Sequence, residues 1–357
     1  MAKKILVVDD SALMRRVLCD IIESDERFRV EDRANNGVEA LDLLSRKTYD
    51  AVVLDVNMPQ MNGLELLKEL QKRKISARVM MASTDTKEGA KTTLDALELG
   101  ALDFIHKPNN AMDCRTDAFK DRMLRILAVV ADSKAPAAGK AFSLGDIKTS
   151  KKVVELVGKH ASAVTGNKIV ALASSTGGPK ALQSVIPRLP KNLKAPVVIV
   201  QHMPAGFTAS LAERLDSLSE VRVKEAAEGD VLEAGTVYIA MGGRHLNVQS
   251  STGKYTIHYT DQPTREGVRP CANYMYESLM DSRYDQIVCV VMTGMGADGT
   301  EGIIHLKESK KIHVIAQEAS TCAVYGMPRS IVNADLANQV VPLDQIAQEI
   351  IMNVGVK

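Results

Sequence analysis

The chain has 357 residues, 45% of them apolar and 25% charged, with a formal net charge of +1 at pH 7. That length suggests two or three domains, and the composition is that of an ordinary soluble protein. So small a net charge excludes a broad electrostatic footprint for nucleic acid, and no helix-turn-helix or zinc-finger pattern is present.

Met1-Ala-Lys-Lys runs straight into a strand, so no signal peptide is expected. No apolar stretch approaches membrane-spanning length, so no membrane insertion is expected either. Cys19, Cys114, Cys271, Cys289 and Cys322 are scattered and odd in number. They read as reduced thiols of a cytoplasmic protein rather than a disulfide framework or a metal site.

Ile5-Leu-Val-Val8 is a short apolar strand with Asp9 and Asp10 at its end. Ser11 caps a helix expected to carry Leu13, Val17, Leu18, Ile21 and Ile22 on one face. Val38, Leu41, Leu43 and Leu44 mark a second helix, and Ala51-Val-Val-Leu54 a strand ending on Asp55. Asn57-Met-Pro and Asn62-Gly63 make the next loop. Arg78 to Ala82 is a further strand ending at Ser83-Thr84, and Leu102 to Ile105 another ending at Lys107-Pro108. Strands separated by helical patterns imply βαβ units and a parallel sheet.

Ligands of such a sheet sit at the carboxyl ends of its strands. Those ends supply Asp9, Asp10, Asp55, Ser83 and Lys107. Clustered carboxylates repel unless a hard cation joins them, and Mg²⁺ suits carboxylate, carbonyl and water ligands. A carboxylate beside Mg²⁺, a lysine and a hydroxyl can accept a phosphoryl group. Taken singly, each of these residues reads as a surface charge or a cap.

On these motifs, residues 3 to about 125 resemble a response-regulator receiver domain. The resemblance implies a flavodoxin-like (βα)5 fold and phosphorylation of Asp55 by a histidine kinase. It implies Mg²⁺ held by Asp10, Asp55 and the Asn57 carbonyl, with Asp9 assisting through water. Ser83 and Phe104 match the family's switch hydroxyl and switch aromatic, and Lys107 its lysine.

A closing helix is expected from Ala111 to about Asp132, with Phe119, Met123, Ile126 and Leu127 inward. From Ser133 the pattern weakens, and 133–166 reads as a partly helical connection.

Lys168-Ile-Val-Ala-Leu-Ala-Ser-Ser-Thr-Gly-Gly-Pro179 reads as strand, tight turn and helix start. Such a turn lifts a side chain clear of the sheet and points free N–H groups beside it. Ser175 is therefore either a nucleophile or only a helix cap. Pro196 to Val200 is a strand running into Gln201-His202-Met203-Pro204. Val237 to Ala240 runs into Gly242-Gly-Arg-His245, and Ile287 to Met292 into Thr293-Gly-Met-Gly-Ala-Asp-Gly299. Ile312 to Ala316 is the last clear strand. This is again an open, mainly parallel, doubly wound α/β sheet.

Ser175, His202 and Asp298 all fall just past strand ends. A serine needs a neighbouring base, usually histidine, whose tautomer a carboxylate fixes. On position alone His245 competes with His202, and Asp298 could cap a helix starting near Gly299. The glycine-rich loops could hold a nucleotide instead, although neither the G-x-G-x-x-G fingerprint after the 168–173 strand nor a P-loop is present.

Four motifs carry a second resemblance: Ser175-Thr-Gly-Gly178, Gln201-His-Met-Pro204-Ala-Gly-Phe207, Thr293 to Gly299, and Tyr325-Gly-Met-Pro328. From about 167 to the end the chain resembles the catalytic domain of chemotaxis protein-glutamate methylesterases of the CheB family. The implied domains are a receiver at 1–125, a linker at 126–166 and a methylesterase domain at 167–357. The implied triad is Ser175, His202 and Asp298, with oxyanion and substrate positioning near Thr176 and Met295. The reaction would be hydrolysis of glutamate γ-methyl esters on methyl-accepting chemoreceptors, with deamidation of receptor glutamines also within the family's reach. The chemotaxis histidine kinase CheA would be the phosphodonor, and ester hydrolysis would need no cofactor. The receiver is expected to block access to Ser175 until Asp55 is phosphorylated. A receiver joined to a non-catalytic binding module, or to an esterase for small molecules or another methylated protein, are the competing readings.

The chain departs from the family pattern at Ser174, where a glycine–alanine pair is usual, and at Cys271 and Asn273, where serine and aspartate are common. Gln317-Glu-Ala lacks an acidic pair often seen there. These departures are expected to bear on receptor preference rather than on the chemistry.

Overall fold

The computed structural model describes residues 2–84, 87–108, 110, 113–133, 165–251 and 253–357. The chain divides into two units, Met1–Leu144 and Gly145–Lys357.

The first unit alternates β1 (Lys3–Val8), α1 (Ala12–Glu23), β2 (Phe28–Ala34), α2 (Gly37–Arg46), β3 (Ala51–Asp55), α3 (Gly63–Lys72), β4 (Val79–Thr84), α4 (Lys87–Glu98), β5 (Asp103–Lys107) and α5 (Asp117–Asp132). The strands lie in the order β2-β1-β3-β4-β5, all parallel. Every residue of β3 is buried, as a strand covered by helices on both faces requires. The helices start where short polar side chains can take a free N–H. Ser11 accepts from Met14 N–H and Asn36 from Glu39 N–H, and Asn62 forms a capping box with Glu65.

Two expected core positions are corrected. Leu13 is 59% exposed and Val38 47%. In α1 the buried stripe is Met14, Val17, Leu18, Ile21 and Ile22, which is the i, i+3, i+4, i+7, i+8 pattern. Leu13 and Val38 each stand one residue off their helix's stripe. A third correction concerns length. α5 carries Leu127, Val130 and Ala131 into the same core as Ile5, Met80 and Ile105, so the first unit's packing continues past residue 125. Residues 134–164, most of the expected linker, lie outside the described residues.

The second unit contains β6 (Lys168–Ser174), α6 (Gly178–Val185), β7 (Val197–Gln201), α7 (Phe207–Leu218), β8 (Arg222–Glu225), β9 (Thr236–Ile239), β10 (His245–Ser251), β11 (Lys254–Thr260), α8 (Ala272–Glu277), β12 (Gln286–Val291), α9 (Thr300–Ser309), β13 (Ile312–Gln317), α10 (Met327–Asn333), β14 (Gln339–Val341) and α11 (Ile346–Val354). Seven strands form one parallel sheet in the order β14-β13-β12-β6-β7-β9-β8. β10 and β11 make a separate antiparallel hairpin. Leu246, Val248, Ile257 and Tyr259 alternate inward from it onto the core.

The chain winds outward from β6 through β7, then returns to lay β12 on the other side of β6. The direction of winding thus reverses between β6 and β12, and in the first unit between β1 and β3. Ligand crevices of open α/β sheets lie at such points, outside the carboxyl ends.

Candidate active site and acidic strand-end site

Three strand ends build the second unit's site. β6 ends at Ser174, and Ser175 follows in the turn to α6. Gly177 closes that turn at φ 76°, a conformation that glycine adopts without strain. Ser174 pairs with Gln201 across β6 and β7, and the His202 N–H donates to the Ser174 carbonyl at 3.1 Å. Ser175 and His202 are therefore the next residues out on adjacent strands.

Gln201 ties the two turns together from beneath. Its Nε2 donates to the Ser175 carbonyl at 3.0 Å and the His202 carbonyl at 3.3 Å, and its Oε1 accepts from Ser174 Oγ at 2.7 Å. A side chain at Gly178 would collide with that Oε1. On the other side of β6, the Ser175 N–H donates to the Thr293 carbonyl at 3.0 Å, anchoring the turn to the loop after β12. Gln317, at the end of β13, takes the Thr293 N–H at 2.8 Å.

Asp298 closes the site. Its Oδ2 lies 2.7 Å from His202 Nε2 and accepts the Ala272 N–H at 2.6 Å. Its Oδ1 accepts from Cys271 Sγ and from the Asn273 N–H, both at 3.0 Å. Burial alone would raise this carboxyl, yet His202, the Cys271 thiol and the Ala272 N–H together hold it below the usual carboxylate range. With Nε2 on the carboxylate, Nδ1 is the ring nitrogen left for a serine. The two nitrogens exchange the roles they hold in chymotrypsin-type triads.

The alternatives left by the sequence resolve differently. Asp298 does not cap α9; Gly299 occupies the cap, and the Asn273 carboxamide oxygen accepts the Gly299 and Gly302 N–H groups at 3.0 and 2.7 Å. His245 is fully buried, with Nδ1 accepting the Cys271 N–H at 3.2 Å. Thr176 is buried and its carbonyl takes Thr293 Oγ1 at 2.9 Å, while Met295 is 37% exposed.

The first unit brings its strand-end residues together as well. Carboxylate oxygens of Asp9, Asp10 and Asp55 lie within 4.8 Å of one another. Lys107 Nζ reaches Asp9 at 2.7 Å and Asp55 at 2.8 Å from the end of β5. Burial lowers Lys107 and raises Asp55. The two carboxylates outweigh burial at the lysine, leaving it above its ordinary value, whereas Asp55 stays above its own despite Lys107. Hard oxygen donors in this number fit a small divalent cation such as Mg²⁺. Ser83 is buried with Oγ 3.4 Å from the Gly89 carbonyl, Phe104 is buried, and Asn57 is exposed.

Comparison with known proteins finds a family for each unit. Residues 170–350 match the family described as CheB methylesterase, and residues 5–118 match the response regulator receiver domain. A Geobacillus kaustophilus protein named protein-glutamate methylesterase/protein-glutamine glutaminase is 42% identical over 353 residues, 99% of each chain. The chain belongs to the CheB methylesterase family. A relative of the same name from Pyrococcus horikoshii is 41% identical over 99% of this chain and 94% of its own. The crystal structure of the Thermotoga maritima CheB methylesterase catalytic domain matches with a TM-score of 0.50 at 42% identity, covering 53% of this chain and 98% of that one.

Against this family background the departures need a correction. Cys271 and Asn273 are not remote from the chemistry, since both donate to Asp298. Ser174 orients Gln201, and Gln317 holds Thr293. Gln201 stands in the Gln-His-Met-Pro motif, but nothing in the sequence indicates that its side chain ties the two turns together. Glu266, which joins Asn273 Nδ2 and the Ala297 N–H at 3.3 Å from a left-handed backbone (φ 54°), has no sequence signal at all.

Proposed function

We propose that this protein is a phosphorylation-controlled serine hydrolase that cleaves glutamate γ-methyl esters on chemoreceptors in the cytoplasm. The His202–Asp298 pair beside Ser175, where the winding of the sheet reverses, carries the reading. Ser175 Oγ attacks the ester carbonyl while His202 Nδ1 takes its proton, and the ionised Asp298 stabilises the imidazolium. The Met295 N–H, with the Thr176 turn, receives the oxyanion. His202 then protonates the departing methanol and activates the water that releases glutamate. An amide in the same position would release ammonia, which is the second activity in the relatives' name.

In the receiver portion Asp55 accepts the phosphoryl group, from the chemotaxis histidine kinase CheA. Asp10, Asp55 and the Asn57 carbonyl would hold Mg²⁺ with Asp9 assisting, and Lys107 would neutralise a phosphoryl oxygen. Bound Mg²⁺ would supply charge neutralisation at the transferring group. Ser83 and Phe104 respond to the phosphorylated state.

Methanol release from methylated receptor membranes tests the reading. Ser175→Ala should lower the rate by several orders of magnitude while the protein unfolds as before. Full activity in a folded Ser175→Ala protein would end the nucleophile assignment. Turnover of generic esters alone would support the small-molecule alternative.

A further inference from the structure

Two backbone N–H groups outside the triad converge on one carbonyl. Gly326 and Met327 donate to the Gly294 oxygen at 3.0 and 2.9 Å. They belong to Tyr325-Gly-Met-Pro328, a motif to which the proposed reaction gives no task. The Gly294 N–H donates to the Val324 carbonyl at 3.1 Å, and the Val324 N–H to Thr293 Oγ1 at 3.0 Å. Gly294 is therefore pinned at both its polar groups by residues 324–327.

The consequence follows from peptide geometry. In a planar trans peptide the N–H points opposite to the C=O. With the Gly294 oxygen held by Gly326 and Met327, the Met295 N–H is turned away from them, and it donates to no group among the described residues. Gly294 also abuts the serine. A methyl group there would meet Ser175 Cβ at 2.8 Å and Ser175 N at 3.1 Å. The Ser175 N–H is already committed to Thr293, so it cannot serve a developing oxyanion.

We propose that Gly326 and Met327 are positioning residues that aim the Met295 N–H at the oxyanion formed on the carbonyl under attack by Ser175. The inference rests on the assignment of Met295 as an oxyanion donor. It also accounts for the glycine at 326. The backbone there has φ −100°, open to any residue, so conformation does not require glycine. Space does. A Cβ would stand 2.6 Å from the Gly294 oxygen, 3.0 Å from Gly296 N and 3.1 Å from Met295 Cα. All three contacts are with the segment being aimed.

Gly326→Ala in the full chain is the direct test, assayed on two synthetic receptor-helix peptides. One carries a glutamate γ-methyl ester and the other its thionoester, whose sulfur is a poor hydrogen-bond acceptor. The wild type should prefer the oxygen ester strongly. Gly326→Ala should lose about 10²–10³-fold in kcat on that ester, the cost of one oxyanion donor, with little change in KM and with the preference collapsed. A general loss of folded protein would slow both esters alike and leave the preference standing. If a folded Gly326→Ala protein keeps wild-type kcat and preference, the positioning role is wrong and the Met295 assignment survives. A wild type without preference refutes the Met295 assignment and this inference with it. Should Gly326→Ala not fold, Thr293→Val and Thr293→Ser replace it. The valine frees Val324 and should abolish the preference, while the serine should keep it; a preference retained in Thr293→Val overturns the proposal.

Discussion

Asp298 is charged in an almost fully buried position because donors from three directions meet it. One is His202; the others are the thiol and backbone at the start of α8. Buried carboxylates without such partners neutralise instead. The Cys271 thiol is held protonated, because burial and the Asp298 charge both raise it. It is a hydrogen-bond donor rather than a nucleophile. His245 completes the arrangement through the Cys271 N–H, and its role is one of stability. Its Nδ1 accepts that N–H, so it must be unprotonated there. Burial first, then Arg269, lowers its pKa, against the Gln262 and Pro263 backbone and Asp298, which raise it. A histidine whose folded pKa lies below its unfolded value near 6.5 binds its proton first in the unfolded chain. Its contribution is therefore complete above about pH 6.5 and declines as pH falls from there towards the folded value. His245→Gln should be less stable than wild type at pH 7.5 and should lose less further stability by pH 5.5. Urea midpoints at the two pH values decide it, and parallel declines would remove His245 from the acid response. His245→Ala should also cost far less activity than His202→Ala.

At the scale of elements, α8 and α9 are joined by one carboxamide. Asn273 lies in the first turn of α8, gives its N–H to Asp298, and uses its side-chain oxygen to take two free N–H groups at the start of α9. Asn273→Ala should leave those two donors buried and unpaired, a loss of about 1–3 kcal/mol in chemical unfolding. A change within about 0.5 kcal/mol, the range of ordinary surface substitutions, would show that the joint carries no load. This joint marks the limit of what the chain discloses when read as a string. The strands that support Ser175, His202 and Asp298 are legible because each is a continuous apolar run stopped by polar residues. The pairing of Cys271 and Asn273 with Asp298 is not, since it brings together residues 27 and 25 positions apart through packing. Local composition gives no sign of it. The β10–β11 hairpin is illegible for another reason. Its alternation at Leu246, Val248, Ile257 and Tyr259 is short, bounded by polar residues, and follows directly on the Gly242-Gly-Arg-His245 loop. The edge strands β8 and β14 are four and three residues long, too short for any period to register.

For the whole molecule the question is how phosphorylation at Asp55 reaches Ser175. Each unit has its own core and its own complete set of strand-end residues, and no residue of the receiver portion enters the proposed triad. The Thermotoga maritima catalytic domain, solved as a separate chain, matches 53% of this chain, less than the second unit's share, so residues 165–357 are expected to fold alone. We hypothesise that the unphosphorylated receiver restrains the esterase and that phosphorylation relieves the restraint. A modification shifts such an equilibrium only by its different stabilisation of the two states, and going from 1:99 to 99:1 requires roughly 5.5 kcal/mol. Buried Lys107, bonded to both Asp9 and Asp55, is the group whose partners must change when Asp55 gains a phosphoryl group. Three proteins on the same methylated receptor membranes test the hypothesis: the intact chain, the intact chain with acetyl phosphate and Mg²⁺, and residues 165–357. Both the phosphorylated chain and the fragment should release methanol faster than the intact chain. Asp55→Asn should ignore acetyl phosphate. A fragment no faster than the unphosphorylated chain would show that the receiver imposes no restraint, and activation by acetyl phosphate alone would then make the phosphorylated receiver a positive contributor to catalysis.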